Sequence, residues 1–156
     1  MEYEVVRYKK RERKKRKVSK ITGEKIYSRS ELEDGLWDMF SLFIRMRDKN
    51  TCVLAHLGGC SQVIQAGHVI PRTKKPTKYD ERNVYAQCKN HNYLHSKANN
   101  THIYTGWFIE KFGAELYTEL CELSRQDAKA LTPKQLIEMT TLYAKKIESL
   151  KPRPIE

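Results

Sequence analysis

Two pairs of candidate metal ligands, Cys52 with Cys60 and Cys88 with His91, bracket one stretch, and they constrain the fold more than any other feature. The stretch reads TCVLAHLGGCSQVIQAGHVIPRTKKPTKYDERNVYAQCKNHN. Cys88-x2-His91 has knuckle spacing, because two intervening residues let the chain turn back around one tetrahedral ion. Cys52-x7-Cys60 is longer and still local. Three thiolates and one imidazole from these positions would hold a structural Zn²⁺ and staple the two ends of the segment together. His56, between the first two cysteines, offers a substitute for either. Inside the bracket lie His68 and Asn83, and Asn92 follows the second knuckle directly.

Such a staple suits this composition. The 156-residue length supports one domain with an appended segment, and a hydrophobic share of 39% against 31% charged residues leaves a modest core. A bound metal adds stability where apolar burial is limited. The four cysteines come without a secretory leader: the N-terminus is charged from its second residue and has no apolar signal core. A disulfide framework is therefore not expected, and a reducing, cytoplasmic setting is. No apolar run approaches the roughly 18 residues of a membrane span, so no membrane partner is expected.

The formal charge of +11 favours polyanions, through phosphate contact and counterion release. Much of it sits in RYKKRERKKRKVSK, residues 7 to 20, which lacks an accompanying apolar stripe. Residues 1–29 read as a basic N-terminal arm lying along nucleic acid, with a solvated tail or a localisation signal as alternatives. The folded domain is expected over 30–150, with 151–156 as a tail.

Along that domain, SELE suggests a capping box of Ser30 with Glu33. Leu32, Leu36, Met39, Phe40 and Phe43 then recur at helical steps, with Trp37 and Ile44 widening the apolar face. Arg45 and Arg47 close this helix, where they suit its dipole and stand close enough to the metal segment to reach phosphate. Val63 to Ile70 is strand-like, PRTKKPTKYDE is a basic turn, and Asn83 to Cys88 returns extended. A helix from about Asn90 completes a β–β–α order over about 52–100. Ile103, Trp107, Phe108 and Phe112 form a stripe stopped at Gly113, and Leu116, Leu120 and Leu123 continue it. Thr132-Pro133 with Gln135 caps a last helix, whose inner face is Leu136, Met139, Leu142, Tyr143 and Ile147. Cys121 reads as a small buried hydrophobe.

The chemistry inside the bracket fits phosphodiester hydrolysis, which needs an activated water and stabilisation of charge at phosphate and leaving oxygen. A neutral imidazole can take the proton of water near physiological pH, and an amide carbonyl can fix its tautomer. His68, Asn83 and Asn92 can serve as base, orienter and metal ligand, and His95 competes with Asn92 for the last role. Each also has a plainer reading: a hydrogen-bonded core histidine, a turn asparagine and a helix cap. Arg72, Lys74, Lys75 and Lys78, between the two β elements, are the expected phosphate contacts.

AGHVIPR, YDERNVYAQC and CKNHN together resemble the HNH (ββα-metal) endonucleases of the zinc-stapled type. With WDMFSLFIRMRD before them and FIEKFG after them, they resemble the phage NinG/Rap recombination nucleases over roughly residues 36 to 120. The resemblance implies an α+β fold, a zinc-stapled ββα unit surrounded by helices. It implies His68 as general base, Asn83 holding its imidazole, Asn92 binding a catalytic Mg²⁺ or Mn²⁺, and zinc on Cys52, Cys60, Cys88 and His91. The substrate class it implies is branched DNA, Holliday junctions and D-loops, cut to leave a 5′-phosphate and a 3′-hydroxyl in the cytoplasm of a phage-infected host. Symmetric cutting of a four-way junction would call for a homodimer.

Three positions depart from the pattern. His91 stands where such proteins usually carry cysteine. Gly67 precedes the base where many HNH enzymes have Asp, and Gln65 replaces a carboxylate found three residues before the base. These departures keep open a catalytically inactive zinc protein of the same fold that only binds DNA. An RNA-binding or ribosome-associated protein would account for the charge, though not for the grouping of His68, Asn83 and Asn92.

Overall fold

The computed structural model describes residues 27–96 and 101–151; the basic run at 7–20, residues 97–100 and most of the tail lie outside the described residues. Helix α1 spans Arg29–Arg47, the antiparallel strands β1 and β2 span Ile64–His68 and Val84–Cys88, and α2 is Lys89–His95. Helices α3 (Thr101–Phe112), α4 (Ala114–Arg125) and α5 (Pro133–Leu150) follow, so the class is α+β with a β–β–α centre. None of the described helices is long and apolar enough to cross a membrane.

The start of α1 differs from the expected one. Ser28 is the cap: its side chain accepts from the Glu31 N–H, and the Glu31 carboxylate accepts from the Ser28 N–H at 2.8 Å. Ser28-x2-Glu31 and Ser30-x2-Glu33 satisfy the same pattern, and tertiary contact selects the earlier one. Arg29 donates to the Leu131 carbonyl at 2.8 Å, anchoring the first turn beside α5, and Glu33 pairs with Arg29 instead of capping. At α5 the expected Thr132–Gln135 box is present, with Pro133 in the first turn.

Two strands cannot hold themselves together in water, so this hairpin depends on what covers it. Its register pairs Ile64 with Cys88, Ala66 with Ala86 and His68 with Val84. One core places Leu36, Phe40, Phe43 and Ile44 of α1 and Leu136, Tyr143 and Ile147 of α5 around Ala66 and Val84. A second gathers Cys52, Leu54, Val69, Ile70 and Cys88 around Tyr104, Phe108 and Leu120. Cys121 packs on that second cluster as a partly buried hydrophobe. Leu142 departs from its expected place: it is 48% exposed, because α5 meets α1 only along the Leu136–Tyr143–Ile147 row.

Arg47 and Asp48 fix the end of α1 to β2. The guanidinium donates to Asp48 and to the carbonyls of Glu81 and Val84 at 2.8 and 2.7 Å, while Asp48 accepts from the Ala86 N–H at 2.8 Å. Arg47, expected to reach phosphate, has its donors engaged by the Asp48 carboxylate and two backbone carbonyls, and its flat face lies 4.8 Å from the Tyr85 ring.

Candidate functional site

The loop after α1 returns to the sheet through a Val53 N–H bond to the Ala86 carbonyl, which sets Cys52 beside the end of β2. Gly58 and Gly59, at φ 74° and 67°, then turn the chain through the left-handed region that other residues resist, bringing Cys60 back. Cys88 ends β2 and caps α2, its sulfur accepting from the His91 N–H. His91 Nδ1 lies 3.3 Å from Cys52 Sγ, 3.6 Å from Cys60 Sγ and 3.3 Å from Cys88 Sγ. All four ligand atoms fall within 4.8 Å of one another, so Cys52, Cys60, Cys88 and His91 can hold a zinc ion. Burial alone would raise the Cys88 thiol, but N–H groups of His91 and Ser61 and the neighbouring thiols outweigh it and hold it down at about 6. A thiol already inclined to ionise suits metal binding. His56 is exposed and stands outside this group.

His68 is the last residue of β1, on the wall of a cleft of about 710 Å³ between α1, the 69–72 segment and α2. Its Nε2 lies 2.9 Å from the Lys78 carbonyl oxygen. A carbonyl only accepts, so the proton is on Nε2 and Nδ1 keeps its lone pair. The Trp37 ring stacks on the imidazole at 5.4 Å and 16°. Burial, with Arg72 and Lys78 adding positive charge, lowers its pKa to about 4, against a raising effect of the Lys78 bond. The imidazole is therefore neutral at physiological pH.

Asn83 does not hold that imidazole. It is fully buried, and its amide accepts from the Ile70 N–H at 2.7 Å and donates to the carbonyls of Ile70 and Thr77, each at 3.0 Å. A buried amide needs partners for all its polar atoms, and backbone supplies them here. Asn83 thus clamps both ends of the 70–77 loop, which leads into Lys78; its influence on His68 passes through that loop.

Asn92 lies within α2, one turn beyond its cap, and donates to Gln65 Oε1 at 2.8 Å. That bond directs Asn92 Oδ1 toward Gly67: a Cβ on residue 67 would meet it at 3.0 Å and Gln87 Oε1 at 2.0 Å. Glycine at 67 is explained by this close approach, since the Gln87 amide occupies the space of a side chain. Gln87 is fully buried, and neither of its amide atoms has a hydrogen-bond partner among the described residues. His95 is committed differently, with Nε2 against the His68 carbonyl at 3.2 Å and a buried Nδ1 lacking a partner among the described residues. Among the described residues, no Asp or Glu lines the cleft.

The basic side chains divide. Arg45 and Arg72 line the cleft, and the Arg72 guanidinium sits 4.2 Å from the Trp37 ring. Lys75 and Lys78 line a separate cavity on the other side of the 71–80 loop, and Lys74 is exposed. Sequence reasoning missed Gln87 and placed Trp37 wholly in the core. A glutamine inside a strand otherwise composed of buried types was the available signal for the first; nothing local distinguishes the second from its helical neighbours.

A family model described as the bacteriophage lambda NinG protein matches residues 3–153. No curated protein and no solved structure gives a significant match. With the match extending over nearly the whole chain, arm and folded region alike, the protein belongs to the bacteriophage lambda NinG family.

Proposed function

We propose that the chain is a metal-dependent DNA endonuclease of the HNH type, acting in phage recombination on branched intermediates such as Holliday junctions and D-loops. One observation carries the reading: His68 Nε2 is held by the Lys78 carbonyl, and Nδ1 has no hydrogen-bond partner among the described residues, in a cleft that also receives Arg45 and Arg72. That is the arrangement a general base needs beside a phosphodiester. Nδ1 takes a proton from water as the water oxygen bonds to phosphorus and the P–O3′ bond breaks; the departing O3′ takes a proton from solvent, giving a 5′-phosphate and a 3′-hydroxyl. At a pKa of about 4 the imidazole is in the right form but a weak base. The negative charge of an entering phosphate stabilises the imidazolium and raises that basicity. Arg72 and Arg45 attract the phosphate, and Trp37 keeps the imidazole from rotating out of line.

The residues around Gly67 fit a divalent ion held through neutral oxygens. Two acceptors, Asn92 Oδ1 and Gln87 Oε1, approach the same point, and Gln87 is otherwise an uncompensated buried amide. Asn92 and Gln87 would hold Mg²⁺ or Mn²⁺, with water completing the shell as Mg²⁺ prefers. When bound, the ion neutralises charge developing at the phosphate and the departing oxygen. Zinc at Cys52, Cys60, Cys88 and His91 is structural, since four protein ligands leave no open position.

A second reading, a catalytically inactive DNA-binding protein, is favoured by the lack of carboxylates along the cleft. Incubating zinc-loaded protein with junction, flap, linear duplex and single-stranded DNA, with Mg²⁺ or Mn²⁺ and with His68→Ala as control, separates the two. Cutting of branched DNA that disappears in the variant supports the nuclease; binding without cutting under every condition supports the second reading.

A further inference from the structure

A cavity of about 460 Å³ opens on the far side of the 71–80 loop from the imidazole cleft. Its walls are the first turns of α1, the 75–80 segment and the 128–131 connection, and Leu131, Leu136 and Met139 give it an apolar floor. Its two carboxylates are already engaged: Glu33 pairs with Arg29 at 2.9 Å and Asp80 with Arg82 at 2.8 Å. Lys75, Lys78 and Lys129 have no ion-pair partner among the described residues. Tyr79 lines the same wall, and its buried hydroxyl has no hydrogen-bond partner among the described residues.

An apolar floor, an unsatisfied hydroxyl and a rim of ammonium groups outside ion pairs, with Lys78 feeling the nearby carboxylates of Glu33 and Asp34, suit a ligand with a flat apolar body, polar edges and a phosphate. The volume suits one nucleotide better than a duplex. Resting on the nuclease reading above, we propose that this cavity receives an unpaired nucleotide of the substrate DNA, next to the strand held in the cleft. Lys78 joins the two places: its side chain lines the cavity, and its carbonyl accepts from His68. A phosphate seated on the Lys78 ammonium therefore steadies the residue that orients the base. Glu33 and Trp37, one turn apart on α1, line the cavity and the cleft respectively, so both sites share one wall. Bases already unpaired are favoured, because extracting one from a duplex costs a few kcal/mol of stacking and pairing. This supplies a physical preference for flapped or branched DNA over linear duplex.

The test uses the zinc-loaded full chain with Ca²⁺ replacing Mg²⁺ to suppress cutting. Two probes carry the same sequence, one fully paired and one with a short unpaired flap bearing 2-aminopurine. The expected result is at least about tenfold tighter binding of the flap, a difference of 1.4 kcal/mol, with altered 2-aminopurine emission on binding. Lys129→Glu, at an exposed position outside the core, should remove that preference and the emission change while linear-duplex affinity falls by no more than about twofold. Met139→Trp, which fills the floor, should do the same without changing charge. Equal affinity for both probes, or variants that weaken both alike, would overturn the proposal, as would seating of a peptide or second chain there that leaves the flap preference intact. A flap preference that survives in a protein unable to cut would sink the nuclease reading and leave this one standing.

Discussion

The Nε2–H of His68 donates to the Lys78 carbonyl across 2.9 Å, and this bond fixes which imidazole nitrogen can act. Lys78 is held at the end of a loop that Asn83 clamps by three bonds to Ile70 and Thr77. The imidazole is thus oriented by main chain, and its pH behaviour follows from its burial.

An ordinary histidine, with a pKa of about 6.5, would be only about one-tenth neutral at pH 5.5. His68, lowered to about 4 in the free protein, stays neutral there, so the second-order cleavage rate at subsaturating DNA, which reports the free protein, should lose less than about twofold between pH 7.5 and 5.5 from base protonation. Stability moves with it. The unfolded chain binds this proton below about pH 6.5 and the native protein only near 4, so stability drops as pH falls across that window, by up to about 3 kcal/mol. Urea melts and cleavage rates at subsaturating DNA over that range check both; a limb at about 6.5 in that second-order rate would contradict the burial argument.

Gln87→Leu should separate stability from ion binding. It removes a buried amide with no partner among the described residues, so the zinc-loaded protein without Mg²⁺ or Mn²⁺ should be unchanged or stabilised by about 1 kcal/mol. Binding of Tb³⁺ or Mn²⁺ outside the zinc site should weaken at least about tenfold, the effect of about 1.4 kcal/mol. Gly67→Ala should instead destabilise by about 1–3 kcal/mol, because its Cβ would stand 2.0 Å from Gln87 Oε1. Luminescence titration and thermal melts read these outcomes. Unchanged Tb³⁺ binding in Gln87→Leu would remove Gln87 from the ion site.

Arg47→Met should behave as a folding mutation. The guanidinium bonds two β2-side carbonyls and Asp48, so its loss should cost about 2–4 kcal/mol. Asn83→Ala should cost a similar amount. DNA affinity of folded Arg47→Met should change less than about twofold. By contrast Arg45→Met, in the cleft, should weaken binding and lower its salt dependence with little change in the melt.

The contrast between these arginines shows what sequence can carry. Ligand spacing exposed Cys52, Cys60, Cys88 and His91, because metal geometry leaves few arrangements. Alternation and turn residues exposed the β–β–α order, and Thr132-x2-Gln135 exposed the last cap. The roles of Arg45 and Arg47 were not legible, since they differ only in which carbonyls the fold places within reach. The same holds for His68, whose partner is a backbone oxygen that any residue at 78 could supply. Ser28 displaced Ser30 because Arg29 meets Leu131, a contact 102 residues away. Gln87 stayed hidden because its significance lies in the absence of a partner, which only the packed structure reveals.

Metal analysis of purified protein should give one zinc per chain, bound through three sulfurs and one nitrogen. Cys52 and Cys88 belong to the second core, so Cys88→Ser or strong chelation should collapse the packing around Tyr104 and Phe108, with loss of cooperative melting. X-ray absorption and melts with and without chelator test this. A metal-free chain that melts as sharply and as late as the zinc form would overturn the structural role.

His68→Ala removes the imidazole on which the cleavage chemistry depends. Single-turnover cleavage of a branched substrate by folded, zinc-loaded protein should fall by about 10²–10⁴-fold, the usual worth of a general base. Affinity for the same DNA should stay within about twofold, because the neutral imidazole compensates no phosphate charge. A variant that keeps its zinc and fold and still cuts at the parent rate would contradict the account.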